Sequence, residues 1–195
     1  IVGYVLCKYY KENFLDVTDL VAPVIALAQS IGRWGNFCNG EAYGHLDRIE
    51  FLGHVIETPN FTKEFLLRMT VQSVATDGKF LTVHPTFLYE SLWNAAGLVI
   101  ALLLYRKKKF DGQILIAYLG FYGFGRMFIE GLRTDSLYIG SLRVSQLLAA
   151  ISCFAAAIAL ILLAFKKHDK AKLFVNVVAA REAAEAEAAE NTEEM

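Results

Sequence analysis

The stretch VSQLLAAISCFAAAIALILLAF, Val144 to Phe165, runs for 22 residues without a charged side chain. As a helix rising about 1.5 Å per residue it is long enough to cross a hydrocarbon core of roughly 30 Å, and it governs the reading of the other apolar runs. Phe87–Tyr105 covers 19 residues interrupted only by Glu90, Ser91 and Asn94, and Gln113–Ile129 covers 17 with Arg126 near its end. Leu20–Ile31 is a run of only 12 residues, contains Pro23 and leads into a glycine-rich polar stretch. That run is too short to span as a regular helix, so the expectation is a segment that breaks or re-enters at the membrane surface, where protein or water satisfies the freed backbone. The predicted fold class is an all-α polytopic membrane protein with about four membrane segments in residues 1–165.

Composition agrees with this. The 195 residues are 55% hydrophobic and 20% charged with a formal net charge of -1, whereas a soluble domain is nearer 45–50% apolar and about 25% charged. Residues 166–195 hold five Lys/Arg and seven Asp/Glu, which leaves 14 and 13 for residues 1–165. The neutral total is thus an average over a charge-poor body and a charge-rich Ala/Glu tail, which is expected to be a solvated helix or disordered. A balance this close to zero excludes a basic nucleic-acid binder. Cys7, Cys38 and Cys153 are odd in number and widely spaced, without a CxxC pair, so no disulfide, metal or cofactor is assigned. Ile1–Leu6 reads as the end of an apolar segment, and the chain is expected to be the C-terminal part of a longer one.

Lys8 and Lys11, Arg106–Lys109, and Lys166, Lys167, Lys170 and Lys172 form three basic clusters flanking the apolar runs. Alternating topology puts all three on one side, which the positive-inside rule makes cytoplasmic. Residues 32–44 and the end of the Arg126 segment then meet at the opposite, extracytoplasmic face. Residues 45–83 read as a small head outside the membrane, with turn signals at Thr58-Pro59-Asn60 and Asp77-Gly78 and an alternating patch at 79–83 suited to a short strand.

Three clusters could carry chemistry. The first is GRWGNFCNGEAYG, residues 32–44, in which four glycines let the backbone approach a ligand while Arg33, Asn36, Asn39 and Glu41 supply donors and acceptors. Arg33 has two readings: an interfacial anchor paired with Glu41, or a guanidinium fork on a phosphate at headgroup depth. The crowding of polar groups among glycines favours the fork. The second cluster is Tyr122, Arg126, Glu130 and Arg133, which share one helix face at about 100° per residue. Such a stripe at the end of a membrane helix is costly unless it faces protein or a wet cavity, so it is either a packing pair of Arg126 with Glu130 or a second cationic wall of the same anion site, with Tyr122 as a hydrogen-bonding group. The third is HPTFLYESLWN, residues 84–94. There Glu90 is an intramembrane carboxylate that either functions or bonds a neighbouring helix, and His84 titrates near neutrality but is more often structural in such a position. Cys38 is read as a small packing residue.

Taken together, GRWGNFCNGEAYG, HPTFLYE and DGQILIAYLGFYGFGRMFIEGLR closely resemble the bacterial prolipoprotein diacylglyceryl transferase family, in the family's order and over roughly residues 1–165. The resemblance implies an inner-membrane enzyme of lipoprotein biosynthesis. Such an enzyme moves the diacylglyceryl group of phosphatidylglycerol onto the thiol of the lipobox cysteine of a prolipoprotein signal peptide, giving a thioether and glycerol phosphate. By motif match, Arg33 and Asn36 would hold phosphatidylglycerol with Gly44 and Glu41 in support, and Tyr122, Arg126 and Glu130 would be further activity positions, with His84, Glu90 and Asn39 as possible supports. The family's His-Gly-Gly motif and an early functional tyrosine have no counterpart in these residues. The competing class is a transporter or lipid-binding membrane protein that uses a broken segment at 32–44 as its substrate site.

Overall fold

The computed structural model describes residues 1–44, 46, 48–51, 53–60, 62–64, 72–74, 80–133, 136–140, 142–166, 168–169, 171 and 173–193. Among the described residues the main helices are α1 (Val2–Tyr10), α2 (Phe14–Asn39), α3 (Thr86–Tyr105), α4 (Gln113–Ile129), α5 (Val144–Ala164) and α6 (Phe174–Glu193). Helices α2, α3 and α5 are long and apolar enough to cross a membrane. Helix α4 is shorter, at 17 residues, and packs against all three of them. The expected polytopic helical fold holds, with one correction in its first segment.

Leu20–Ile31 neither breaks nor re-enters. It is the middle of the 26-residue α2, about 39 Å long, which continues through Gly32 and Gly35 and stops only at Gly40, a left-handed cap with φ 66°. Packing outweighs local propensity here. Pro23 has no N–H to give the carbonyl of Asp19, and each interior glycine costs about 1 kcal/mol relative to alanine. Yet Ala22 and Ala26 are fully buried in a cluster with Ala101, Ile114 and Tyr118, and Ser30 and Trp34 bond Ser91 across to α3. With Ser30 opposite Ser91 and Ala22 near Ala101, α3 runs opposite to α2.

Glycines let α4 sit close to both neighbours. A Cβ on Gly123 would come within 2.7 Å of the Ala149 carbonyl on α5, and one on Gly125 would collide with the Trp93 indole on α3. Such small-residue contacts replace the hydrophobic drive that helices lack in lipid. Trp93 stacks on Phe121 at 4.3 Å and donates to its carbonyl at 2.9 Å, while Gln146, at the start of α5, donates to the Met127 carbonyl at the end of α4.

Outside the helices, the strands form two-stranded antiparallel ribbons: β1 (Arg48–Phe51) with β2 (His54–Glu57), β3 (Gln72–Val74) with β4 (Phe80–Thr82), and β5 (Tyr138–Ile139) with β6 (Leu142–Arg143). The strand expected at 79–83 is β4. The expected turn at Asp77-Gly78 lies outside the described residues, as do Lys167, Lys170 and Lys172 of the last basic cluster. The tail forms α6, which begins where the Phe174 amide donates to Asp111.

Candidate functional site

The end of the bundle where α2 finishes and α3 begins gathers its charged side chains around one carboxylate. Glu90, on the second turn of α3, is 5% exposed. Arg33 of α2 approaches its Oε2 with Nε at 2.5 Å, Arg126 of α4 pairs with Oε1, and Arg133 lies 3.6 Å from Oε1. The other nitrogen of the Arg126 fork lies 2.6 Å from Glu130 Oε2. Helix α4 tightens into a 3-10 turn over Glu130–Leu132, so the face predicted for Tyr122, Arg126, Glu130 and Arg133 survives its own helix end.

Glu130, 2% exposed, is fixed from the far side. Ser136 Oγ donates to its Oε1 at 2.7 Å, and Arg143 donates to its main-chain carbonyl at 2.6 Å, to the Arg133 carbonyl at 2.7 Å and to Ser136 Oγ at 2.7 Å. Among the described residues, four guanidinium groups therefore stand against two carboxylates, a formal charge of +2. Beside them a small cleft is lined by Glu90, Trp93, Asn94, Tyr122, Arg126 and Ile129.

A second motif residue pins the backbone there. Gly44 exchanges main-chain hydrogen bonds with His84 at 3.1 and 3.2 Å and also bridges Arg133, so the segments after α2, before α3 and after α4 meet at one point. A Cβ on Gly44 would lie 2.8 Å from both His84 Cβ and the Leu132 carbonyl, which is why only glycine fits. His84 is a buttress: it is 3% exposed, its Nδ1 lies 3.3 Å from the Tyr89 hydroxyl, and burial lowers its pKa from the ordinary imidazole value.

Not every expected residue joins the cluster. Arg33 pairs with Glu90, not with Glu41, because α2 runs on as helix and carries Glu41 past its cap. Glu41 is exposed and accepts from Asn39 at 3.2 Å. Asn36 lies one turn beyond Arg33, its carbonyl engaged in the α2 C-cap. No hydrogen bond or ion pair among the described residues ties the side chains of Asn36, Asn39 or Glu41 to Glu90. Arg143 and Ser136 were missed by sequence reading, Arg143 because a basic residue in a short loop looks like an exposed one. Nor is residues 32–44 a broken membrane segment, which removes the feature on which the transporter reading rested. Among the described residues no group of three or more His, Cys, Asp or Glu is placed to hold a metal ion.

At its opposite end the bundle carries another buried ionic cluster. Lys108 Nζ lies 3.1 Å from Asp19 and 3.0 Å from Asp111 and pairs closely with Asp16. Burial opposes its charge, but hydrogen bonds to Asp16, Asp111 and Asp19 outweigh that and raise its pKa above the ordinary lysine value. Asp19 also accepts from the amides of Gly112, Ile114 and Leu115, capping α4 from a neighbouring helix where the unpaired N–H groups and the positive dipole end favour a carboxylate.

Comparison with known proteins agrees with the motif reading. The family model described as prolipoprotein diacylglyceryl transferase matches residues 1–163. The chain is 48% identical over 149 residues to the phosphatidylglycerol--prolipoprotein diacylglyceryl transferase of Clostridium novyi (strain NT), covering 76% of this chain and 53% of that protein. It is 41% identical over 168 residues to the protein of that name from Clostridioides difficile (strain 630), covering 86% and 58%. The chain thus spans about half the length of the curated relatives it matches. The matched region contains the arginine cluster, the Gly44 junction and the helices that position them, and on that match the chain belongs to the prolipoprotein diacylglyceryl transferase family.

Proposed function

We propose that these residues form the phosphate-gripping part of a membrane transferase. It moves the diacylglyceryl group of phosphatidylglycerol to the thiol of the lipobox cysteine of a prolipoprotein. The observation that carries this reading is the convergence of Arg33, Arg126 and Arg133 on one buried carboxylate at the end of membrane-length helices. In the reaction the cysteine sulfur forms a C–S bond as the glycerol C–O bond to phosphate breaks, and the electron pair leaves on the phosphate oxygen. One proton is released from the thiol, while the phosphate changes from a monoanionic diester to a monoester whose second pKa is about 6. Negative charge grows on the leaving group, and arginines held in a water-poor site stabilise that growth more than they stabilise the starting lipid.

Arg33 and Arg126 are the phosphate ligands in this reading. Tyr122 and Asn94 line the adjoining cleft, Glu130 holds the Arg126 fork, and Gly44 fixes the junction. Asn36, Asn39 and Glu41 follow Arg33 at the end of α2, and in this reading they meet the lipid glycerol or the signal peptide. The basic groups Lys8, Lys11 and Arg106–Lys109 flank the other ends of the helices, which supports an inner-membrane orientation with the arginine cluster on the extracytoplasmic side. In the full-length protein, Arg33→Ala is expected to lower transfer of labelled diacylglycerol to a lipobox peptide by at least about a hundredfold while the protein still inserts. Near-normal transfer by that variant would remove Arg33 from the reaction.

A further inference from the structure

We infer that Glu90 is an internal anion that holds the arginines together and yields them to the phosphate, so that it limits how tightly anionic ligand and product are kept. The inference rests on the transferase reading and adds a positioning role for a residue that the reaction itself does not require. The two carboxylates of the cluster are held in different ways. Glu130 is anchored by Ser136 and by the network of Arg143 with main-chain carbonyls. Glu90 has guanidinium partners alone, from α2, from α4 and from Arg133 beyond it. The Oε2 of each carboxylate meets an arginine at ion-pair distance without an aligned hydrogen bond, so the difference lies in what else holds them. Among the described residues, Glu90 is the one ion-pair partner of Arg33.

A carboxylate on a membrane-length helix is expensive unless it is paired, and the groups that pair it here are those an incoming phosphate also seeks. The cleft beside Glu90 has room for about one water molecule, so a phosphate takes its place among the arginines by displacing the Glu90 carboxylate from them. Competition of this kind has a use: an internal anion among the arginines keeps a dianionic product from being held too firmly.

The test measures binding separately from catalysis. Glycerol phosphate and, in parallel, inorganic phosphate are titrated into the purified full-length protein, and steady-state transfer is measured with phosphatidylglycerol vesicles and a lipobox peptide. Glu90→Gln keeps the shape and removes the charge. It is expected to bind glycerol phosphate roughly tenfold tighter, within the range usual for coupled sites, with KM for the lipid and kcat both falling as product release slows. Glu90→Asp, which keeps the charge but draws it back, should move in the same direction by less, and the inorganic phosphate titration separates a general anion effect from recognition of the glycerol part. Weaker or unchanged anion binding in both variants, or a raised KM, would show Glu90 to be a fixed strut and overturn the inference while leaving the transferase reading intact. Failure of both variants to fold would also overturn it. Absence of anion binding in the unaltered protein would remove the anion site and this inference with it.

Discussion

The two ends of the helix bundle use the same materials with opposite balance. At one end a single ammonium, Lys108, stands among three carboxylates, a formal -2. At the other, four guanidinium groups and two carboxylates are gathered among the described residues, so that cations outnumber anions there. The first imbalance is completed from within the chain: three backbone amides at the start of α4 donate to Asp19, Asn13 donates to Asp111 at 2.8 Å, and the α6 amide of Phe174 reaches Asp111 as well. At the arginine end the carboxylates face guanidinium groups from three different segments, the groups a phosphate also seeks. Buried charge of the first kind fixes a fold, and buried charge of the second kind can be shared with a ligand.

Removing the cation from the closed end tests that division most severely. Lys108→Met keeps the length of the side chain but leaves three carboxylates without their counter-charge, and breaking a buried ionic group in this way typically costs about 3–5 kcal/mol. Thermal unfolding of the detergent-solubilised protein should move down by several degrees, while transfer per folded molecule stays within about twofold of the unaltered protein because the change lies a helix length away from the arginines. Lost transfer with an unchanged unfolding midpoint would mean that the closed end takes part in the chemistry.

Sequence patterns revealed the arginine end more fully than the lysine end, for a physical reason. Charges are rare inside apolar helices, so Arg126, Glu130 and Glu90 stand out, and the helical period alone places Tyr122, Arg126 and Glu130 on one face. Which segment faces which is a tertiary fact, and Glu90 as the meeting point of Arg33, Arg126 and Arg133 was not legible. Lys108 was hidden within a basic run that reads as one exposed block, although Asp16 and Asp19 at the start of an apolar helix were an available signal of a buried partner. The glycines of residues 32–44 were read for flexibility, whereas Gly32 and Gly35 lie inside a helix held by its packing.

The next effect in size separates glycines of that one motif. Gly44→Ala places a methyl against the Leu132 carbonyl and His84, and overpacking against backbone costs about 1–3 kcal/mol. The junction that carries Arg133 must shift, so transfer is expected to fall more than stability does. Gly32→Ala meets nothing within 4 Å and should raise stability by up to about 1 kcal/mol through helix propensity. Equal behaviour of the two variants in unfolding and transfer assays would mean that Gly44 acts as a flexible link and not as a point of close approach.

The smallest effect concerns a residue that belongs to the arginine end by position and to the closed kind by chemistry. His84 is buried with its Nε2 lacking a hydrogen-bond partner, and burial lowers its pKa from 6.5, so the unfolded chain takes up a proton more readily than the folded one. The contribution of a neutral His84 to stability is therefore complete above the ordinary imidazole pKa and is lost progressively as pH falls through it, with a limiting slope of about 1.4 kcal/mol per pH unit. Unfolding midpoints measured from pH 7.5 down to 5.5 should decline, and His84→Asn should flatten that decline without changing the pH profile of transfer. If the variant instead altered the transfer profile and left the unfolding slope as it was, His84 would be a proton-handling group facing substrate, and the line between the finished and the open end would have to be drawn on its other side.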